Sequence, residues 1–148
     1  MSHPLDPALS KTDREQISAR LHRFTTALDE KDFHAYADCY TEDGILELPW
    51  GQHEGREGLA EAVSANLAKF PRTQHTTRDH VITQDGDRGT LRAQLHSVHW
   101  RSEADTDPWI VEGIYDCRLT RTASGWKFSN VALSVVSQQG GHDELEAL

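Results

Sequence analysis

Histidine supplies most of the reactive chemistry in this chain, with nine residues. Imidazole titrates near pH ~6.5 and can act as base, acid or metal ligand under ordinary conditions. Other chemistry lacks its usual residues. No glycine-rich phosphate loop, Gly-x-Ser-x-Gly elbow or His-Glu-x-x-His occurs, which argues against nucleotide hydrolysis, serine hydrolysis and zinc proteolysis. Cys39 and Cys117 belong to no Cys-x-x-Cys pair and read as buried thiols. His96 and His99 are three apart, and His75 and His80 five apart. On a strand both offsets send the two side chains to opposite faces, so no metal site is expected.

Strand parity sorts the remaining candidates. Leu91, Ala93, Leu95, Ser97 and His99 share one face, apolar until it ends in Ser97 and His99, which puts His99 at the rim or floor of a cavity. Trp109, Val111, Gly113, Tyr115, Cys117 and Leu119 form a second apolar face, read as core or pocket wall. Between 74 and 82, one face carries His75, Thr77, Asp79 and Val81 and the other Gln74, Thr76, Arg78, His80 and Ile82. The pattern leaves open which of these points inward. His80 is expected outside, opposite to His75. Trp50 and Trp100 are expected at a subunit interface, and Trp126 in the core.

The elements that must hold these residues begin with a helix. Thr12 and Glu15 have capping-box spacing, and Ile17, Leu21, Phe24 and Leu28 follow at helical intervals. Asp29 falls at the edge of that apolar stripe. Asp32 caps an expected second helix with Phe33, Tyr36, Ala37 and Tyr40 inward, and Ile45 to Leu48 reads as a short strand. A third helix fits Glu57 to Phe70, stopped by Pro71. Thereafter the period is two. Strands are expected over Thr73 to Thr83, Gly89 to Arg101, Trp109 to Thr122 and Trp126 to Ser137, long enough to imply bending in a curved sheet. Helices followed by an antiparallel meander, with the early strand added at an edge, make an α+β architecture that can curl around a pocket. One domain is expected over 12–137, with loose tails at 1–11 and 138–148.

Composition narrows the partners. The 148 residues carry 15 Lys plus Arg against 24 Asp plus Glu, a net charge of −9, which disfavours nucleic acid and anionic membranes. Hydrophobic residues make up 36% and charged residues 26%, and no apolar run spans a bilayer. The N-terminal segment lacks a secretory pattern, so a cytoplasmic location is expected.

Six segments together resemble a known family. They are Leu28-Asp29-Glu30-Lys31-Asp32-Phe33, Tyr40-Thr41-Glu42-Asp43-Gly44, Gly55-Arg56-Glu57-Gly58-Leu59, Thr73-Gln74-His75, Gly113-Ile114-Tyr115-Asp116 and Gly125-Trp126-Lys127-Phe128. In order and spacing they are similar to the polyketide-cyclase (SnoaL-like) branch of the nuclear-transport-factor-2-like superfamily. The resemblance covers about residues 12–137. It implies a cone-like curved sheet wrapped around N-terminal helices and enclosing an apolar cavity. Scytalone dehydratase and hexachlorocyclohexane dehydrochlorinase in that superfamily use an Asp–His pair, and Asp29 and His75 fall on those positions. The pair suits general-base chemistry, because a carboxylate at one ring nitrogen fixes the tautomer and raises the basicity of the other. The chain also departs from the family pattern. Leu28 stands where a tyrosine precedes the aspartate, and Ile114 or a neighbour stands where scytalone dehydratase has a second histidine.

The expected activity is therefore that of a lyase or isomerase without cofactor, acting on a small, mainly apolar cyclic or polyketide-like compound. His75 would be the base and Asp29 its partner, with His99, Tyr115, Tyr36 or Tyr40 as auxiliary pocket residues. The alternative is a noncatalytic ligand-binding or assembly module of the same fold. A homo-oligomer, dimer or trimer, is expected in both cases.

Overall fold

The computed structural model of the protein describes residues 7–141, with side chains from residue 12 onward. The expected tails, 1–11 and 138–148, fall largely outside that range. Helix α1 spans Pro7–Asp29 and so begins before Thr12. Proline is favourable in a first helical turn, because its missing N–H has no partner there, and the Thr12–Glu15 spacing thus lies inside the helix. Ile17, Leu21, Phe24, Ala27 and Leu28 are buried, as a one-sided apolar stripe requires. The helix stops where Lys31 turns left-handed at φ 63°. Asp32 then accepts from the Ala35 N–H at 3.1 Å and caps α2, Phe33–Ala37. Tyr40, expected in α2, instead opens β1, Tyr40–Leu48.

A strand not expected from the sequence, β2, Gly51–Glu54, pairs antiparallel with β1 across the Pro49-Trp50 turn. Helix α3, Leu59–Leu67, is shorter than expected at both ends. It begins after Gly58, whose φ of 79° suits glycine. Four long strands complete the sheet: β3 Arg72–Asp85, β4 Arg88–Trp100, β5 Trp109–Thr122 and β6 Gly125–Gln139. The order is β2-β1-β6-β5-β4-β3, with β1 parallel to β6 and every other pair antiparallel. β1 therefore lies inside the sheet rather than at its edge. The sheet is curved and unclosed, ending at β2 and β3, and the architecture is α+β as expected.

Parity holds along β4 and β5. Leu91, Ala93, Leu95, Ser97 and His99, and then Trp109, Val111, Tyr115, Cys117 and Leu119, are all buried. It fails in β3. Asp79 adopts φ 55°, and a bulge between Arg78 and Val81 inserts an extra residue that turns the later side chains over. His80 consequently faces α1, where Ser18 Oγ lies 3.0 Å from its Nδ1 and Thr77 Oγ1 2.9 Å from its Nε2. The expectation that His80 points outward is corrected by that bulge.

At one end of α1 the buried Asp13 carboxylate ties three strands to the helix. It accepts from Arg121 at 2.7 and 3.2 Å, from Gln84 at 3.0 Å and from the Trp126 indole at 3.4 Å. Further along α1, Phe24 packs against Tyr36, Tyr115 and Phe128 with ring centroids 4.6, 5.6 and 5.3 Å away. At the far end the core gives way to a cavity.

Candidate active site

Asp29 is the last residue of α1, and β3 runs beside it, so its carboxylate meets the start of that strand. His75 Nδ1–H donates to Asp29 Oδ1 at 2.7 Å, the His75 backbone N–H to Oδ2 at 2.9 Å, and Thr73 Oγ1–H to Oδ1 at 3.0 Å. The carboxylate grips one residue by ring and backbone together. The His75 side chain is 7% exposed and that of Asp29 26%, so the acid keeps a solvent edge while the imidazole is enclosed. In the neutral ring a proton on Nδ1 leaves the lone pair on Nε2, and no described residue donates to Nε2. The spacing Thr73-x-His75 puts both side chains on one face, a signal in the sequence that would have found Thr73.

His75 opens onto a cavity lined from α1 by Phe24 and Leu28, from α3 by Val63 and Leu67, and from the sheet by Leu95 and Tyr115. The volume open to the centres of water-sized spheres is about 80 Å³. At roughly 10–15 Å³ for one water on that measure, this is room for about six waters, or a compound of one or two rings.

His99 stands beside His75 in that wall, with ring centroids 5.7 Å apart and the planes nearly perpendicular. It is 5% exposed and packs between Phe70 at 5.1 Å and Trp109 at 4.6 Å. Its Nδ1–H donates to the Trp109 carbonyl at 3.0 Å, which leaves Nε2 unprotonated and without a donor among the described residues. Burial, and then the neighbouring His75, lower its pKa to about 4. His99 is thus a neutral hydrogen-bond acceptor at working pH.

The tyrosines divide. Tyr36 and Tyr115 line the cavity, whereas Tyr40 is buried behind Tyr36, hydroxyl to hydroxyl at 2.7 Å, and does not reach the wall. Burial raises all three phenols well above their ordinary pKa, so they remain protonated. Trp50, expected at an interface, packs inward with Phe70, Trp109 and Val111 and lines the cavity. Trp100 is half-buried under the Arg72 guanidinium, 4.2 Å from its ring centre. Ser97 and Asn66 also reach the wall, and Asn66 was not anticipated. Both cysteines are buried and free. Among the described residues no cluster of three His, Cys, Asp or Glu could hold a metal, and no helix is long and apolar enough to cross a membrane.

The SnoaL-like domain profile matches residues 10–132. The chain belongs to the SnoaL-like domain family. No curated protein matches it. Among solved structures, the Kfla4162 protein of Kribbella flavida is 27% identical over 92% of this chain and 99% of its own, with a TM-score of 0.84. A scytalone dehydratase candidate from Novosphingobium aromaticivorans superposes at 0.81 with 18% identity, covering 90% of each chain. A type 2 hexachlorocyclohexane dehydrochlorinase superposes at 0.73 with 15% identity over 88% of this chain and 92% of its own. The last two likenesses concern the fold. This SnoaL-like chain shares with them a curved sheet closed over by helices, and its own side chains must supply the argument for what the cavity does.

Proposed function

We propose that this SnoaL-like protein is a lyase or isomerase that needs no cofactor and acts on a small, mainly apolar cyclic compound by acid/base chemistry at His75. The observation that supports this most is the 2.7 Å hydrogen bond from His75 Nδ1 to Asp29, with the free Nε2 at the wall of an apolar cavity. The imidazole is oriented by a carboxylate that is itself fixed by three donors, as a general base requires. In the proposed reaction Nε2 takes a proton from a carbon next to a carbonyl. The C–H electron pair forms the new C=C bond as a leaving group on the next carbon departs with its own pair. For a hydroxyl leaving group the proton on His75 returns to that oxygen, releasing water. For an isomerisation it returns to another carbon. The Asp29 carboxylate, accepting from Nδ1–H, stabilises the imidazolium between these steps.

The test is proton exchange and elimination with a panel of one- and two-ring ketones and β-hydroxy ketones in D2O, followed by NMR. Wild-type protein should accelerate α-deuteration, and His75→Ala should lose about 10²-fold or more of that rate with an unchanged far-UV spectrum. Equal rates in the two proteins would refute the assignment.

A further inference from the structure

Among the described residues, no Lys, Arg, Asp or Glu lines the cavity. Lys31 does not line it and donates from Nζ to the Phe70 carbonyl at 2.7 Å. Behind His75 stands the Asp29 carboxylate, and Lys31 and Asp29 act on His99 with opposite signs, so neither charge commands the cavity. A buried anion would meet desolvation with no counter-charge, a cost of several kcal/mol in general. A buried cation fares little better, because both Asp29 oxygens are already engaged by His75 and Thr73. Charge is thus discouraged in both signs.

Polarity is not. His99 presents a lone pair at Nε2 with no donor among the described residues, in a side chain 95% of whose residue surface is covered. Nε2 is not sealed in the protein alone, where Trp50 Nε1 is the one described side-chain polar atom both sealed and unpartnered; a ligand that fills the cavity seals it, at a cost of about 1–3 kcal/mol unless the ligand supplies an O–H or N–H. Phe70 and Trp109 flank the ring at 5.1 and 4.6 Å, so the donor enters apolar surroundings, in a cavity with room for one or two rings. We propose that the ligand is an uncharged ring compound carrying a hydroxyl or N–H donor that hydrogen-bonds to His99 Nε2. This deepens the function proposed above, rests on the same cavity, and assigns His99 the reading of the substrate rather than a proton transfer.

The test is equilibrium binding at pH 7 by isothermal titration with four matched probes: 4-ethylphenol, its methyl ether, 4-ethylbenzoate and 4-ethylbenzylamine. The phenol should bind roughly fivefold or more tighter than the ether, the value of one hydrogen bond, with the two charged probes weaker than both. His99→Asn keeps an N–H near the Nδ1 position and loses the Nε2 acceptor, and His99→Phe keeps the flat ring and loses both nitrogens. In each variant the phenol and ether should bind within about twofold of each other. In His75→Ala the phenol preference should persist, which separates this reading from the catalytic one. Three results would each overturn it: no binding of the phenol at millimolar concentration, tighter binding of a charged probe, or a phenol preference that survives in both His99 variants.

Discussion

Asp29 holds His75 at two points, accepting from its ring Nδ1–H at 2.7 Å and from its backbone N–H at 2.9 Å. With the Thr73 hydroxyl the carboxylate satisfies three donors. An amide cannot do this, because one of its two polar atoms is itself a donor. Asp29→Asn must therefore confront one of these groups with an NH2. The group able to yield is the imidazole, by moving its proton to Nε2. The variant should lose about 10²-fold or more in kcat/KM on any substrate found active, with little change in Tm, and long-range ¹⁵N spectra should report His75 protonated at Nε2. Full activity in Asp29→Asn would show that the tautomer does not matter.

His99 also makes stability depend on pH. Its folded pKa of about 4 lies below its ordinary 6.5, so between these values the unfolded chain binds the extra proton. Stability then rises with pH across that window. The contribution is complete above about pH 6.5 and is lost as pH falls toward 4. The shift corresponds to about 3 kcal/mol as an upper bound. His80, whose pKa burial also lowers, acts in the same direction. Urea unfolding at pH 7 and pH 4.5 should show that His99→Phe loses roughly 2 kcal/mol less than wild type between the two conditions. Parallel losses would place the acid sensitivity elsewhere.

How much of this was visible in the sequence depends on whether the backbone stayed regular. β4 and β5 run without a break in their inner halves, so alternation alone put His99 and Tyr115 on the correct face. In β3 a single left-handed aspartate, Asp79, reversed the faces beyond it, and no residue type there demands that conformation. Tyr40 was misplaced because α2 is five residues long, too short for periodicity to fix its end. The pairing of Asp29 with His75 spans 46 residues, and no local pattern specifies it. It came from the family resemblance, and the hydrogen bonds supply its physical reason. Trp50 was misread because a tryptophan beside a proline in a turn looks exposed until β2 folds it back over the cavity.

Gly113 marks a close approach in the wall next to Tyr115. A Cβ built there would lie 2.6 Å from the Ser134 carbonyl oxygen and 3.0 Å from Leu133 Cδ1, at the point where β5 and β6 shift register. A backbone oxygen cannot rotate away as a side chain can. Gly113→Ala should therefore cost about 1–3 kcal/mol in denaturant unfolding. At Gly51 nothing lies within 4 Å of the added carbon. Gly51→Ala should be neutral or gain up to about 1 kcal/mol by restricting the unfolded chain. Equal costs at the two positions would mean that the β5–β6 contact is looser than its spacing indicates.

Two cavity tryptophans should respond differently to the same change. Trp109 Nε1–H donates to Gln138 Oε1 at 2.8 Å, whereas Trp50 Nε1–H is sealed from solvent with no partner among the described residues. Phenylalanine removes the N–H and part of the ring in each case. At Trp109 this loses a hydrogen bond and packing beside Phe70 and His99, an expected cost of about 2 kcal/mol. At Trp50 the lost packing is offset by relief of an unsatisfied donor, itself worth about 1–3 kcal/mol, so Trp50→Phe should change stability by less than about 1 kcal/mol. Urea midpoints at constant slope decide the matter. If Trp50→Phe unfolds as readily as Trp109→Phe, the Trp50 N–H has a partner in solution, and ordered water at the cavity mouth becomes the group to locate by crystallography.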